Sequence, residues 1–239
     1  MKRYITSTLP YVNADPHIGF AIEIIQTDAL ARTWRLLGDE VFFNTGTDEH
    51  GQKIFEAAQK ADLDVQEYTD HFAMEFRKLG KALNLSNDGF IRTTDPAHHI
   101  AAQEMWRRCE EAGDIYKKAY EGLYCVGCEK FLTEKEMQDG NCIIHGKAPV
   151  TLKEENYFFK LSRFEQRLLD WYEAHPDVIT PETRRNEVLG FIRQGLQDFS
   201  ISRTSLQWGV PLPWDPSHVT YVWFDALLNY YPALGYARE

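Results

Sequence analysis

Three cysteines and one histidine are spaced in the sequence as the ligands of a bound metal would be. In the stretch "CVGCEKFLTEKEMQDGNCIIHG", two residues separate Cys125 from Cys128, thirteen separate Cys128 from Cys142, and two separate Cys142 from His145. Each tight pair can supply two tetrahedral ligands to Zn²⁺, and four protein ligands leave no position for water. The spacing therefore predicts a structural zinc. The alternative is that these cysteines are simply buried, as we expect for the isolated Cys109.

A second candidate site lies in "TLPYVNADPHIGF", which follows "RYITS" and overlaps the end of a strand predicted over residues 4–9. A helix is predicted from His17 to about Leu37. Its N-terminus would offer unpaired N–H groups to a phosphate. Gly19 would let a flat group approach the backbone, and His17 could donate an imidazole N–H to a phosphate oxygen. The motif is short, and a helix cap is the competing interpretation of His17.

The next predicted strand ends in "NTGTDEHG", on the same rim of a parallel sheet. Asp48 could accept a hydrogen bond or an ion pair from a ligand ammonium, and His50 could line the same pocket. The competing interpretation is that Asp48 is a turn residue or the N-cap of the following helix, which is predicted from about Gln52 to Lys60.

Near the C-terminus, "TYVWFDALLNYY" reads as a strand that leads into an apolar helix. Apolar residues recur there at intervals of three and four, as on one helical face: Trp223, Ala226, Leu227 and Tyr230. Such a stripe is typical of a packed core. Its functional interpretation is an apolar pocket for a ligand side chain.

Strands alternate with helices through the first half of the chain, which predicts an α/β fold with a parallel sheet. From Ile115 onward the sequence changes to short Tyr- and Gly-rich strands and the Cys/His cluster, with helices predicted at about 163–174 and 181–196. We therefore predict a nucleotide-type domain over residues 1–115 and an inserted module over 116–218, with the zinc knuckle at about 124–147. Residues 219–239 would return to the first domain.

The composition limits the class of protein. The formal net charge of −10 disfavours polyanion binding over most of the surface. Nucleic acid would need a local basic patch, for which "PETRRNEVLGFIRQ" is a candidate, although a solvated helix face explains it equally. No run of 18 apolar residues and no apolar signal-peptide core occurs in the sequence. We therefore expect a cytoplasmic protein without a membrane span.

The motifs together resemble one known family. The chain is similar to the N-terminal half of class I methionyl-tRNA synthetases of the bacterial type with a single zinc knuckle, whose fold is a Rossmann-like parallel sheet interrupted by a zinc-binding connective peptide. The resemblance covers essentially the whole chain. It is carried by "TLPYVNADPHIGF", "NTGTDEHGQ", "GDIYKKAYEGLYCVGCEKF", "NYFFKL", "DFSISR", "WGVPLPWD" and "HVTYVWFDALLNY".

The resemblance implies a role for each candidate residue. His17, Gly19 and Phe20 would occupy the ATP-binding HIGH turn, with Arg203 of "SISR" as a further charged residue at the active site. Asp48 would hold the methionine ammonium. The methionine side-chain pocket would be lined by Leu9, Tyr11, Trp223, Ala226, Leu227 and Tyr230. The knuckle of Cys125, Cys128, Cys142 and His145 would hold a structural zinc near the acceptor end of the tRNA.

The reaction implied is the formation of methionyl-adenylate from methionine and ATP, with Mg²⁺, followed by transfer to tRNA-Met. Two departures lower the activity expected of this chain alone. Phe20 replaces the second His of HIGH, and loss of one such donor typically costs about 10²–10³ in rate. The sequence also contains neither the KMSKS loop nor an anticodon-binding domain.

We therefore expect completion by a chain carrying the C-terminal half, or self-association. The alternative is a non-catalytic paralogue, a binding module that keeps the methionine pocket and the knuckle. A nucleotidyltransferase acting on another acid fits less well, because the resemblance includes the methionine pocket.

Overall fold

The structure is a computed structural model, and it describes residues 1–235 of the chain. The strands are β1 (Lys2–Thr6), β2 (Glu40–Thr47), β3 (Gly89–Arg92), β4 (Ile115–Cys125), β5 (Lys130–Phe131), β6 (Met137–Gln138), β7 (Asn141–Cys142), β8 (Val150–Phe159), β9 (Phe199–Ser200), β10 (Ser202–Arg203) and β11 (Val219–Thr220). The helices are α1 (Ile18–Leu36), α2 (Gln52–Lys60), α3 (Val65–Ala82), α4 (Pro96–Glu111), α5 (Glu165–Ala174), α6 (Glu182–Arg193) and α7 (Val222–Ala226). Among these helices none combines the length and the apolar content of a membrane span.

A parallel sheet with the strand order β1-β2-β3 forms the first part of the fold. In its register Ile5 lies opposite Phe43, and Thr45 opposite Phe90. Helix α1 connects the first two strands, and α2 and α3 connect the second to the third. The predicted α/β fold is confirmed. Strand β1 ends at Thr6 instead of residue 9, because its pairing with β2 stops there and resumes only as a single bridge between Tyr11 and Asp48.

Helix α1 begins at a cap made by a histidine. The Nδ1 atom of His17 accepts a hydrogen bond from the N–H of Gly19 at 3.1 Å, which satisfies one of the donors that every helix leaves unpaired at its start. A Cβ atom on Gly19 would lie 3.0 Å from the His17 ring. The capping interpretation of His17 is therefore confirmed, and a side chain at position 19 would press on the ring.

Phe20 points into the core of this domain. Its side chain is 8% exposed, and its ring meets the ring of Phe76 on α3 edge-on, with 5.1 Å between the centroids. The two rings thus join α1 to α3. The cluster around them comprises Val12, Ile24, Ala31, Phe43, Ile54, Ala58 and Tyr68.

The inserted part is built on a long antiparallel pair, β4 and β8, which β5 and β9 extend to a four-stranded sheet. The short hairpin of β6 and β7 carries the second half of the cysteine cluster. The two predicted helices are present but shorter than expected. A 3₁₀ turn at Leu161–Phe164 precedes α5, and Gly195, at φ +95°, follows the end of α6.

A second core joins the inserted part to the rest of the molecule. Trp106 of α4 is fully buried, and its indole N–H donates to the hydroxyl of Thr220 at 2.9 Å. Its ring contacts Tyr157 of β8 and Phe224 of α7 edge-on. One side chain thus packs against both the insertion and the segment that follows it.

A buried carboxylate ties α1 to the segment before β3. Asp28 accepts hydrogen bonds from the backbone N–H of Ser86 at 2.8 Å, from the Ser86 hydroxyl, and from the guanidinium of Arg32 at 2.7 Å. Burial disfavours the charged form, but these donors outweigh it and lower the pKa of Asp28.

Asp28→Asn should lower the free energy of unfolding by about 1–3 kcal/mol, because the charge-assisted hydrogen bonds are lost. Since the folded pKa lies below the unfolded value, the stabilisation is present above the unfolded pKa of about 3.9 and is lost as the pH falls through the folded pKa. Urea unfolding between pH 3 and 7 should therefore show a flatter pH dependence for the variant. Asp177→Asn, at an exposed position, is the control, and equal profiles for the two variants would refute the assignment.

Phe20→His should destabilise the fold by about 1–3 kcal/mol in urea, because an imidazole would be buried without a partner against Phe76. Phe20→Leu, which stays apolar, should cost less. Unchanged stability in the histidine variant would mean that residue 20 can turn its side chain out of the core.

Candidate functional site

The turn after β1 and the end of β2 meet at one rim of the parallel sheet. The N–H of Val12 donates to the carbonyl of Asp48 at 3.2 Å, and the N–H of Asp48 donates to the carbonyl of Pro10 at 2.9 Å. Leu9 and Tyr11, in the same turn, are half-buried. The carboxyl ends of parallel strands are where open α/β sheets bind ligands, so the backbone brings the two sequence motifs to such a place.

Asp48 is a buried carboxylate with an unused acceptor. Its side chain is 4% exposed, and within residues 1–235 its Oδ1 atom has no hydrogen-bond partner. Burial, and then the neighbouring carboxylates of Asp225 and Glu129, raise the pKa of Asp48 well above its usual value. The N-cap of α2 is Gly51, so Asp48 does not cap that helix. A cationic group bound next to Asp48 would offset the negative charge of these neighbouring carboxylates.

Asp225, one of the carboxylates whose charge acts on Asp48, is held by two histidines. The Nδ1 of His50 donates to one carboxylate oxygen at 2.6 Å, and the Nε2 of His98 donates to the other. All three side chains are fully or almost fully buried. Although burial disfavours its ionised form, His98 and His50 lower the pKa of Asp225. The sequence motif indicates His50 as a pocket residue but gives no signal for His98 or Asp225, because 127 positions separate those two.

Tyr11 and Trp223 form an aromatic wall beside Asp48. The rings of Tyr11 and Trp223 meet at 70°, with 6.4 Å between their centroids, and Trp223 is 45% exposed. Ala226 is buried, Tyr230 is half-buried and Leu227 is exposed. Helix α7 ends at Ala226 and continues as a 3₁₀ turn over Leu227–Tyr230, so the four predicted residues do not share one continuous α-helical face.

Arg203 of β10 reaches the same region from the inserted part. It is 5% exposed, and its guanidinium lies 4.4 Å from the ring centroid of Tyr221, just before α7. One terminal nitrogen donates to the Ser200 hydroxyl at 2.9 Å and to the Ser202 carbonyl at 2.7 Å. In the part of the chain that the structure describes, its Nε has no hydrogen-bond partner. Arg203 is thus a buried cation that packs against the rings of Tyr124, Phe131 and Tyr221 in addition to these two hydrogen bonds.

His17, Gly19 and Phe20 lie at the start of α1, next to this rim. His17 and Gly19 are exposed, and Nδ1 of His17 is occupied by the helix cap, so Nε2 remains for an external partner. The side chain of Phe20 faces the core, so only its backbone atoms lie at the turn.

The four predicted metal ligands converge. The ligand atoms of Cys125, Cys128, Cys142 and His145 all lie within 4.8 Å of one another. The Sγ atoms of Cys128 and Cys142 are 3.6 Å apart, and His145 Nδ1 is 3.2 Å from Cys128 Sγ. A tetrahedral zinc with Zn–S distances of about 2.3 Å has edges of about 3.8 Å between its sulfur ligands, so the geometry and the donor set fit this metal.

A glycine allows this convergence. A Cβ atom on Gly127 would lie 2.6 Å from the His145 ring, so only glycine leaves room for the fourth ligand. The turn between Cys125 and Cys128 is closed by the N–H of Cys128, which donates to the sulfur of Cys125 at 3.4 Å. The cluster can hold a metal ion with protein ligands alone.

Comparison with known proteins agrees with this architecture. The family model described as tRNA synthetases class I (M) matches residues 3–138 and 134–239. Methionine–tRNA ligase of Thermotoga maritima is 51% identical over 99% of this chain and 38% of its own length. That of Rhizobium meliloti is 50% identical over 97% of this chain and 46% of its own length. The chain therefore spans less than half the length of these relatives.

The solved structures that resemble the chain agree with the sequence matches. The crystal structure of Mycobacterium tuberculosis methionyl-tRNA synthetase bound by methionyl-adenylate superposes with a TM-score of 0.95 at 48% identity, covering 99% of this chain and 48% of that one. The apo form of that synthetase gives a TM-score of 0.81. On the family match, the identities and the superposition together, this chain belongs to the class I methionyl-tRNA synthetase family.

Proposed function

We propose that the chain is the N-terminal catalytic part of a methionine–tRNA ligase, which forms methionyl-adenylate from methionine and ATP and transfers the methionyl group to tRNA-Met. The observation that carries this proposal is Asp48, a buried carboxylate with an unused oxygen beside an aromatic wall. A ligand ammonium would both donate to that oxygen and offset the negative charge that Asp225 and Glu129 place around it. An amino acid brings an ammonium for Asp48 and a side chain for the wall.

The amino acid would bind with its ammonium on Asp48 and its thioether among apolar residues. Thioethers pack well against aromatic rings. The rings of Tyr11 and Trp223, which meet at 70°, would provide such a surface. The pocket lining is completed by Leu9, Ala226, Leu227 and Tyr230. Asp225 and its two histidines would fix the floor of the pocket from behind.

ATP would lie over the start of α1, with its phosphates near the helix N-terminus, His17 and Gly19. In the first step a methionine carboxylate oxygen attacks the α-phosphorus, and pyrophosphate leaves. Phe20 would contribute through its backbone, because its side chain is in the core. Arg203 would add positive charge on the side of the insertion. Mg²⁺ would accompany ATP on its phosphates.

We place a structural zinc in the knuckle formed by Cys125, Cys128, Cys142 and His145, where it would fix the local fold. We also retain the division of the chain into a catalytic domain over 1–115, a connective insertion over 116–218 and a return over 219–239. The change from the parallel sheet to the antiparallel β4–β8 pair at Ile115 supports the first boundary. A cytoplasmic location would suit this activity.

Full activity would need the KMSKS-bearing part of the fold, supplied by a second chain or by further sequence. Self-association is the other form of completion that we propose. The alternative function is a binding module that keeps the pocket and the knuckle without adenylation. Phe20, in place of a phosphate donor, is the observation that favours it.

Methionine-dependent exchange of pyrophosphate into ATP tests the proposal. The 239-residue chain is assayed alone and with a KMSKS-bearing C-terminal half of a related synthetase. Exchange is expected only in the mixture, because the chain supplies the amino-acid pocket and the helix N-terminus but not the KMSKS lysine. No exchange in either sample, with methionine still bound in calorimetry, would identify a binding module.

Trp223→Ala should weaken methionine binding at least about tenfold, since it removes half of the aromatic wall. Trp171→Ala is a matched control, because Trp171 is 46% exposed and lies on α5 of the insertion. Isothermal titration with methionine measures both variants. Equal affinities would place the amino acid elsewhere.

Removal of the metal should unfold the knuckle, because metal-binding energy is folding energy in so small a module. We expect about one zinc per chain by elemental analysis, and a lower melting temperature for Cys128→Ala or after chelation. Cys109→Ala is the control thiol outside the cluster. A metal content far below one per chain, or equal melting of the two variants, would contradict the assignment.

A further inference from the structure

A buried glutamate joins the knuckle to the proposed amino-acid pocket. Glu129 directly follows Cys128, is 2% exposed and lies outside both the set of metal ligands and the set of predicted pocket residues. Its backbone is in the left-handed region at φ +51°, an unusual conformation for a residue other than glycine. Its N–H donates to the carbonyl of Val126 at 3.3 Å, so the turn of the knuckle sets its position.

One oxygen of Glu129 caps a helix that has no cap of its own. The N-cap residue of α2 is Gly51, which has no side chain to accept the first unpaired N–H groups. Glu129 Oε1 accepts the N–H of Lys53, in the first turn of α2, at 2.7 Å. A carboxylate is well placed there, because the N-terminus of a helix carries partial positive charge. The loop that holds Asp48 and His50 runs directly into this helix start.

The other oxygen of Glu129 holds the aromatic wall. The hydroxyl of Tyr11 donates to Glu129 Oε2 at 3.3 Å. A Cβ atom on Gly51 would lie 2.4 Å from the same oxygen, so the carboxylate reaches both partners only because residue 51 is glycine. One side chain therefore contacts both segments that meet at the rim, the turn with Tyr11 and the helix that follows Asp48.

We propose that Glu129 is a positioning residue for the amino-acid site, which transmits the geometry of the knuckle turn to Tyr11 and to the start of α2. This inference rests on the proposed function. It assigns to the insertion an indirect part in amino-acid binding, through a side chain that positions Tyr11 and the start of α2. Without Glu129, Tyr11 would lose the acceptor that fixes its hydroxyl, and α2 would lose its cap.

A double-mutant cycle on methionine affinity tests the link. Wild type, Glu129→Ala, Tyr11→Phe and the double variant are titrated with methionine by calorimetry, and zinc content and melting temperature are recorded for each. Glu129→Ala should weaken binding about tenfold with the metal retained. The change Tyr11→Phe should then cost much less in the Glu129→Ala background than in wild type, because the hydroxyl has already lost its partner.

Glu129→Gln repeats the cycle if the alanine variant does not fold. Its amide oxygen can still accept from Lys53, but the amide nitrogen cannot accept from Tyr11, so the two changes should again be non-additive. Glu134→Ala, at an exposed acid of the same module, should leave methionine affinity unchanged. Fold changes that multiply independently, or wild-type affinity in both Glu129 variants, would overturn the inference. Absence of methionine binding by wild type would instead refute the proposed function.

Discussion

Several carboxylates are buried near the end of the parallel sheet, and they constrain the residues around them. Each needs positive charge or hydrogen-bond donors to offset its lost hydration. Asp225 has two histidines, Glu49 has the bidentate guanidinium of Arg92, and Glu129 has a helix N-terminus and a tyrosine hydroxyl. Only Asp48 retains an unpaired oxygen among them within residues 1–235. Among the described residues Asp48 is thus the one carboxylate of this group with an oxygen left for an external donor, which is a physical basis for binding a cationic ligand there.

The cysteine spacing, the β–α–β order and the rim position of Asp48 could be predicted from the sequence because each depends on local pattern. The His98–Asp225 and Glu129–Lys53 contacts could not, since they join positions 127 and 76 residues apart and no periodicity encodes them. For Phe20, only part of its structural role could be predicted from the sequence. Its place in the motif was predicted, but the direction of its side chain depends on Phe76, which belongs to another helix.

The inserted part is not an independent appendage on the sheet domain. Trp106 packs against β8 and α7 together, and Arg203 of the insertion packs against the ring of Tyr221. Most of these contacts are aromatic rings meeting edge-on, which fix orientation as well as distance. A displacement of the β4–β8 pair should therefore also displace Trp223, which lies between Tyr221 and Phe224 in the chain. This would hold even if the knuckle itself did not change.

The close approach of Glu129 to Gly51 has an evolutionary consequence. A side chain at position 51 would lie 2.4 Å from the Glu129 carboxylate, and the backbone there, at φ +110°, favours glycine in any case. We therefore expect glycine at position 51 in relatives that keep this turn, whichever residue stands at position 129. A lineage that shortens residue 129 could not restore the cap of α2 by placing Ser or Asp at position 51. Selection on the start of α2 would then act on residue 129 alone.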